Sequence, residues 1–142
     1  MGGQIKASVR LVSGMQFVAS GDSGHAILMD GLPKFGGTDS APRPMEMLLF
    51  GLGGCTGMDT ISILRKKRQQ VDSLEINLTG TKAEKEPARY VDVQIEFVIT
   101  GKGIDEDAVK RAISLSMEKY CSVKATLEQE TKIGFTHRII ES

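Results

Sequence analysis

Charge of one sign is what this sequence most plainly lacks: 18 Lys and Arg are balanced by 18 Asp and Glu in 142 residues. No overall field therefore recruits nucleic acid or an anionic membrane. The one basic run, Arg65 to Arg68, suits the negative end of a helix and marks a solvated face. A long hydrophobic run is also missing, since no stretch reaches the ~18 uninterrupted apolar residues that indicate a membrane span. The opening MGGQIKASVR has no apolar core of a secretory signal, and Lys6 stands where a myristoylation motif after Gly2 wants Ser or Thr. These absences predict a cytoplasmic chain with neither nucleic acid nor membrane as partner. Cysteine is scarce, with Cys55 and Cys121 alone, so they read as reduced thiols or a reactive pair and not as a structural staple. The two histidines, His25 and His137, form no closely spaced ligand pair, and no metal site is expected. No cofactor is expected either, because GLGGCTG lies inside an apolar segment and not after a strand.

What is present is ordinary globular composition, 40% hydrophobic and 25% charged. It predicts a single domain over residues 1–142 that can bury one core. Ile5, Ala7, Val9 and Leu11 alternate with more polar neighbours, the pattern of a half-buried strand. Met15 to Ala19 and Ala26 to Met29 suggest two further strands, separated by the turn GDSGH. The segment 30–44, DGLPKFGGTDSAPRP, is rich in glycine and proline and reads as a loop of a length that carries function or spans between subunits.

Pro44 suits the first turn of a helix extending to about Gln69. Met45, Met47, Leu48, Leu49, Phe50 and Leu52 cover nearly every face of its first half, which predicts an enclosed helix. Gly51, Gly53, Gly54 and Gly57 each cost about 1 kcal/mol of helix stability relative to alanine, so close packing must offset them. Two alternating strands follow, around Leu74 to Leu78 and Val91 to Ile99, joined through TKAEKEPAR. Asp105 can cap a helix carrying Val109, Ala112, Ile113 and Ser116. A short helix around Cys121 to Leu127 and a strand over Lys132 to Ile140 complete an order that segregates strands from helices, an α+β class.

On residue type alone Cys55 reads as a small hydrophobe in a buried helix. Cys121, at a helix start where a thiolate is favoured, admits a second reading: two thiols whose sulfenate condenses to a disulfide. Spacing alone does not choose between that pair and two unrelated cysteines. Asp59 and Ser62, four and seven residues beyond Cys55, share its helix stripe. Asp59 is then either a proton handler beside the thiol or a packing hydrogen-bond acceptor.

The stretch GGTDSAPRPMEMLLFGLGGCTGMDTISILRKKR, together with CSVKATL, resembles the loop, central helix and second-cysteine segment of the OsmC/Ohr family, in its less characterised branch. The resemblance implies antiparallel sheets wrapped around a long central helix in an intertwined homodimer. It also implies a thiol-dependent peroxidase acting on organic hydroperoxides or hydrogen peroxide, with Cys55 peroxidatic and Cys121 resolving. A thiol reductant would then reopen the disulfide. In the dimer the helix glycines would let one subunit's helix approach its partner's.

A peroxidatic thiol must ionise, and Cys55 lies about 11 residues into its helix, beyond the reach of the dipole. Better-known family members carry an arginine in an early loop and a glutamate ten residues before the cysteine; Met15 and Met45 stand at those places here. Arg43 or Lys34, or a basic residue of the other chain, are the candidate cations. Glu46 falls roughly opposite Cys55 and about 13 Å away along the axis, so it could meet the thiol only from the partner chain. The alternative to an enzyme is a dimer whose apolar pocket binds a small hydrophobic molecule, with the cysteines as redox sensors or remnants.

Overall fold

The computed structural model describes residues 2–142, which divide into two compact units, one up to Leu48 and one of Leu49–Ser142. The first unit is a three-stranded antiparallel meander of β1 (Ala7–Ser13), β2 (Gln16–Gly21) and β3 (Ala26–Met29). Gly14, at a φ of 55°, makes the tight turn that sets Ser13 opposite Gln16. The expected half-buried β1 is not what the chain forms: every residue of this strand is exposed. Alternation marks which face an apolar side chain takes, and Val9 and Leu11 remain 56% and 55% exposed.

The loop that follows is tied down by Asp30, a buried carboxylate that sequence inspection missed. Its Oδ2 accepts hydrogen bonds from the backbone N–H and hydroxyl of both Thr38 and Ser40, while Oδ1 accepts from Gly31 N–H. These donors, those of Ser40 and Thr38 above all, hold the Asp30 carboxyl well below the usual carboxylate range. A short 3₁₀ turn, Pro33–Phe35, lies inside the loop.

The central helix α1 (Pro44–Lys66) begins in the first unit and continues into the second. Its start is a reciprocal cap, in which Glu46 Oε1 accepts from the Arg43 N–H at 3.0 Å and the Glu46 N–H donates to Arg43 O. The helix ends three residues before the expected Gln69. Arg68 adopts a left-handed φ of 59° while the Gln69 and Arg68 N–H groups return to Leu64 O and Arg65 O. No glycine announces this stop.

In the second unit, β4 (Gln70–Lys82) pairs antiparallel with β5 (Tyr90–Lys102), and β6 (Lys132–Glu141) adds parallel on the other side of β5. Being central, β5 carries the core: Val93, Ile95, Phe97 and Ile99 are at most 1% exposed. Their register sets Leu74, Ile76 and Leu78 of β4 directly opposite Ile99, Phe97 and Ile95, so one apolar face runs across both strands. Leu52 and Leu64 of α1 and Val109, Ala112 and Ile113 of α2 (Glu106–Leu115) are buried as well. Asp105 caps α2 as expected, its side chain accepting from Asp107 N–H at 3.0 Å. The chain class is α+β, two sheets with one long helix.

The helix glycines separate into two kinds. A β-carbon on Gly53 would come within 2.8 Å of Leu78 Cδ1 and one on Gly57 within 3.5 Å of Ile76 Cγ1, so these two let α1 approach its own β4. Among the described residues nothing lies within 4 Å of that position on Gly51 or Gly54. Nor is α1 enclosed: Phe50 is 51% and Met58 73% exposed. Its length and hydropathy would suffice for a membrane span, but its Leu52, Thr56, Thr60 and Leu64 stripe is that of a core helix.

Candidate functional site

Cys55 and Asp59 lie one turn apart on α1, so their side chains share a face. Cys121 reaches the same place from the far end of the sequence. After α2 the chain widens into a single π-turn over Ser116–Tyr120, closed by Cys121 N–H donating to Ser116 O at 2.8 Å. Cys121 then stands at the N-cap of α3 (Ser122–Leu127), where its sulfur accepts from Lys124 N–H at 3.4 Å. The Sγ atoms of Cys55 and Cys121 and a carboxylate oxygen of Asp59 all lie within 4.8 Å of one another.

The burial of the two thiols is the reverse of that expected. Cys121 is the enclosed one, 4% exposed, whereas Cys55 is half-buried. The helix start does not make Cys121 acidic: burial pushes its thiol up to about 11, against a lowering by Lys124 N–H, with the neighbouring Cys55 raising it further. Cys121 therefore keeps its proton at neutral pH and can offer it to the Cys55 sulfur. The arrangement pairs a reachable sulfur with a protonated, sheltered one.

Two residues that sequence inspection passed over complete the site. Ser116 Oγ donates to Asp59 Oδ2 at 2.9 Å and lies 2.8 Å from Thr56 Oγ1. A hydroxyl has one proton to give, so with Ser116 committed to Asp59 the Thr56 hydroxyl must donate to Ser116. The relay Thr56 to Ser116 to Asp59 fixes the carboxylate beside the thiols. Its sequence signals were a hydroxyl next to Cys55 and a serine just past α2 that continues the spacing of its apolar stripe. Ser62 is exposed and takes no part in the relay. Beside Asp59 opens a recess of about 580 Å³ lined by Met58, Ile63, Leu115 and Tyr120, with Lys66 and Ser62 at its polar edge.

Arg43 and Glu46 belong to the helix entrance in the first unit. The guanidinium makes ion pairs with Asp39 at 3.3 Å and with Glu46 at 3.2 Å. Lys34 lies over the Phe35 ring in the loop, 5.0 Å from its centroid. His137 pairs with Glu106 at 3.2 Å and joins neither cysteine; His25 is an exposed turn residue.

Comparison with known proteins gives the family and the fold. Residues 37–136 match the family model described as OsmC-like protein. Protein YhfA of Escherichia coli K12 is 40% identical over 136 residues, covering 96% of this chain and 98% of its own. A hypothetical protein from Aquifex aeolicus has a solved structure that superposes with a TM-score of 0.86 at 31% identity, covering 99% of this chain and 98% of that one. An organic hydroperoxide resistance protein from Legionella pneumophila shares the fold at a TM-score of 0.69 and 10% identity, covering 94% and 96%. The chain belongs to the OsmC-like protein family.

Proposed function

We propose that this protein is a thiol peroxidase that reduces organic hydroperoxides or hydrogen peroxide, with Cys55 attacking and Cys121 resolving. The observation that carries this reading is the convergence of both sulfurs and Asp59 within 4.8 Å. The Cys55 thiolate attacks one peroxide oxygen, the O–O bond breaks, and the alcohol or water leaves after taking up a proton. Cys55 is thereby oxidised by two electrons to a sulfenic acid. The Cys121 thiol then attacks that sulfur, water departs, and a disulfide joins the two. An external thiol reductant returns both to thiols.

Asp59, held by Ser116, brings a carboxylate oxygen within 4.8 Å of the Cys55 sulfur and is the proton acceptor in this proposal. The recess beside it, mostly apolar with Lys66 at its edge, suits a hydroperoxide with a hydrocarbon body. The Legionella neighbour, an organic hydroperoxide resistance protein, is consistent with this substrate class. The working unit in this proposal is a homodimer, since Val9, Leu11, Ile27 and Leu28 of the first unit and Phe50 and Met58 of α1 leave large apolar surface uncovered. Stopped-flow mixing of reduced protein with cumene hydroperoxide should consume both thiols faster than a free thiol is oxidised. Oxidation no faster than that of a free thiol would refute the peroxidase.

A second reading, a non-enzymatic dimer that binds a hydrophobic molecule, draws on a separate feature. The first unit holds an apolar recess of about 270 Å³ lined by Val9, Met15, Phe17 and Met29. Binding of an aromatic or lipid-like probe that survives Cys55→Ser, in a protein inert to peroxide, would favour it.

A further inference from the structure

We propose that the reduced protein binds one Zn²⁺ per chain through Cys55 Sγ, Cys121 Sγ and an Asp59 carboxylate oxygen, leaving one coordination position open. The inference requires the reduced thiols and does not depend on peroxide turnover.

The donor set favours this ion. Two thiolates select zinc over the hard, oxygen-seeking Mg²⁺ and Ca²⁺, and a carboxylate is a common third ligand. Tetrahedral Zn²⁺ at about 2.3 Å from each sulfur sets two sulfurs about 3.8 Å apart, with the oxygen at a slightly shorter separation. The three donor atoms already fall inside a 4.8 Å envelope, so a short closing movement completes the site. Their order in the chain explains why spacing alone hid it: Cys55 and Asp59 are one helical turn apart, while the third ligand arrives 66 positions after Cys55.

Charge points the same way. Three groups able to carry negative charge converge here, and among the described residues Asp59 has no ion-pair partner. A divalent cation supplies the missing positive charge.

The surroundings are those that tune metal ligands. Ser116 orients the Asp59 carboxylate and is itself held by Thr56, and Lys124 N–H donates to the Cys121 sulfur. Cys55 is half-buried, so an ion has a route in. On binding, each thiol gives its proton to solvent and neither sulfur changes oxidation state. Metal and disulfide compete for the same sulfurs: oxidation expels the ion, and the ion shields the thiols.

The test uses reduced, chelator-stripped protein titrated with Zn²⁺ against a chromophoric competitor, and with Co²⁺ as a spectroscopic probe. The expected result is one ion per chain, a near-ultraviolet sulfur-to-cobalt charge-transfer band, and loss of that band in Cys55→Ser and in Cys121→Ser. Ser116→Ala, which keeps all three ligands, should weaken binding about 10-fold. Circular dichroism of each variant checks that it is folded. Overturning results are a failure to hold one equivalent, a cobalt complex without the charge-transfer band, or unchanged affinity in folded Cys121→Ser. A protein inert to peroxide that still binds zinc would sink the peroxidase alone; a peroxidase that ignores zinc would sink this inference alone.

Discussion

Replacing Ser116 with alanine isolates the hydroxyl relay beneath the thiols. Ser116 and Thr56 are both fully buried, so no water can replace the lost oxygen. The Thr56 hydroxyl would be left without its acceptor, at a cost of about 1–3 kcal/mol. Asp59 is partly exposed and can recover a partner from solvent, so its loss adds less than about 1 kcal/mol. The expected destabilisation of Ser116→Ala is therefore about 1–4 kcal/mol, a melting-temperature drop of about 2–4 °C for each kcal/mol at this size. Thr56→Val alone leaves Ser116 still donating to Asp59 and should cost about 1 kcal/mol. In the double variant no buried hydroxyl remains orphaned, so its loss should fall below the sum of the singles by about 1 kcal/mol or more. Urea unfolding of the four reduced proteins measures the cycle. Strict additivity, or a Ser116→Ala protein within about 0.5 kcal/mol of the parent, would refute the buried hydroxyl relay.

Three further outcomes follow from the same structure. Arg68→Gly relieves the left-handed backbone at the end of α1 and should stabilise the protein by about 1 kcal/mol in urea unfolding. The Cys121 thiol is raised in the folded chain to about 11, above an unfolded value near ~8.5. The unfolded chain thus loses that proton first. The stability contribution is complete below about pH 8.5 and is lost as pH rises through about 11; comparison of Cys121→Ser with the parent across alkaline pH should show the difference. The Asp30 carboxyl shifts the opposite way, so its contribution is present above an unfolded value of about 4 and is lost as pH falls. Asp30→Asn should destabilise at neutral pH and flatten the acid limb, with faster proteolysis in the loop between Gly31 and Ser40.

Local chemistry was legible in the sequence. The Asp105 cap and the apolar stripe of α2 obey rules that act within one or two turns, and the alternation of β4 and β5 fixed which side chains meet across them. Contacts between distant parts of the chain were not legible. The parallel docking of β6 on β5 depends on a crossover through two helices that leaves no alternation signal of its own. The end of α1 eluded sequence rules because an arginine occupies the left-handed position that glycine usually marks. The helix glycines signalled close packing, and among the described residues Gly53 and Gly57 use it while Gly51 and Gly54 do not. Resemblance suggested Cys55 and Cys121 as a pair, and their sulfurs lie within 4.8 Å of each other, while their burial order, the Thr56–Ser116–Asp59 relay and the Asp30 cradle needed three dimensions. The alternation of β1 likewise marked two faces of a strand, and neither face is buried.

Peptide mapping by mass spectrometry after one equivalent of hydroperoxide tests the central claim most directly. Cys55 and Cys121 should appear as one cross-linked peptide pair within a single chain, and Cys121→Ser should instead accumulate a Cys55 sulfenic acid trapped by dimedone. Cross-links between chains, or oxidation of Cys55 that leaves Cys121 reduced in the parent protein, would contradict it.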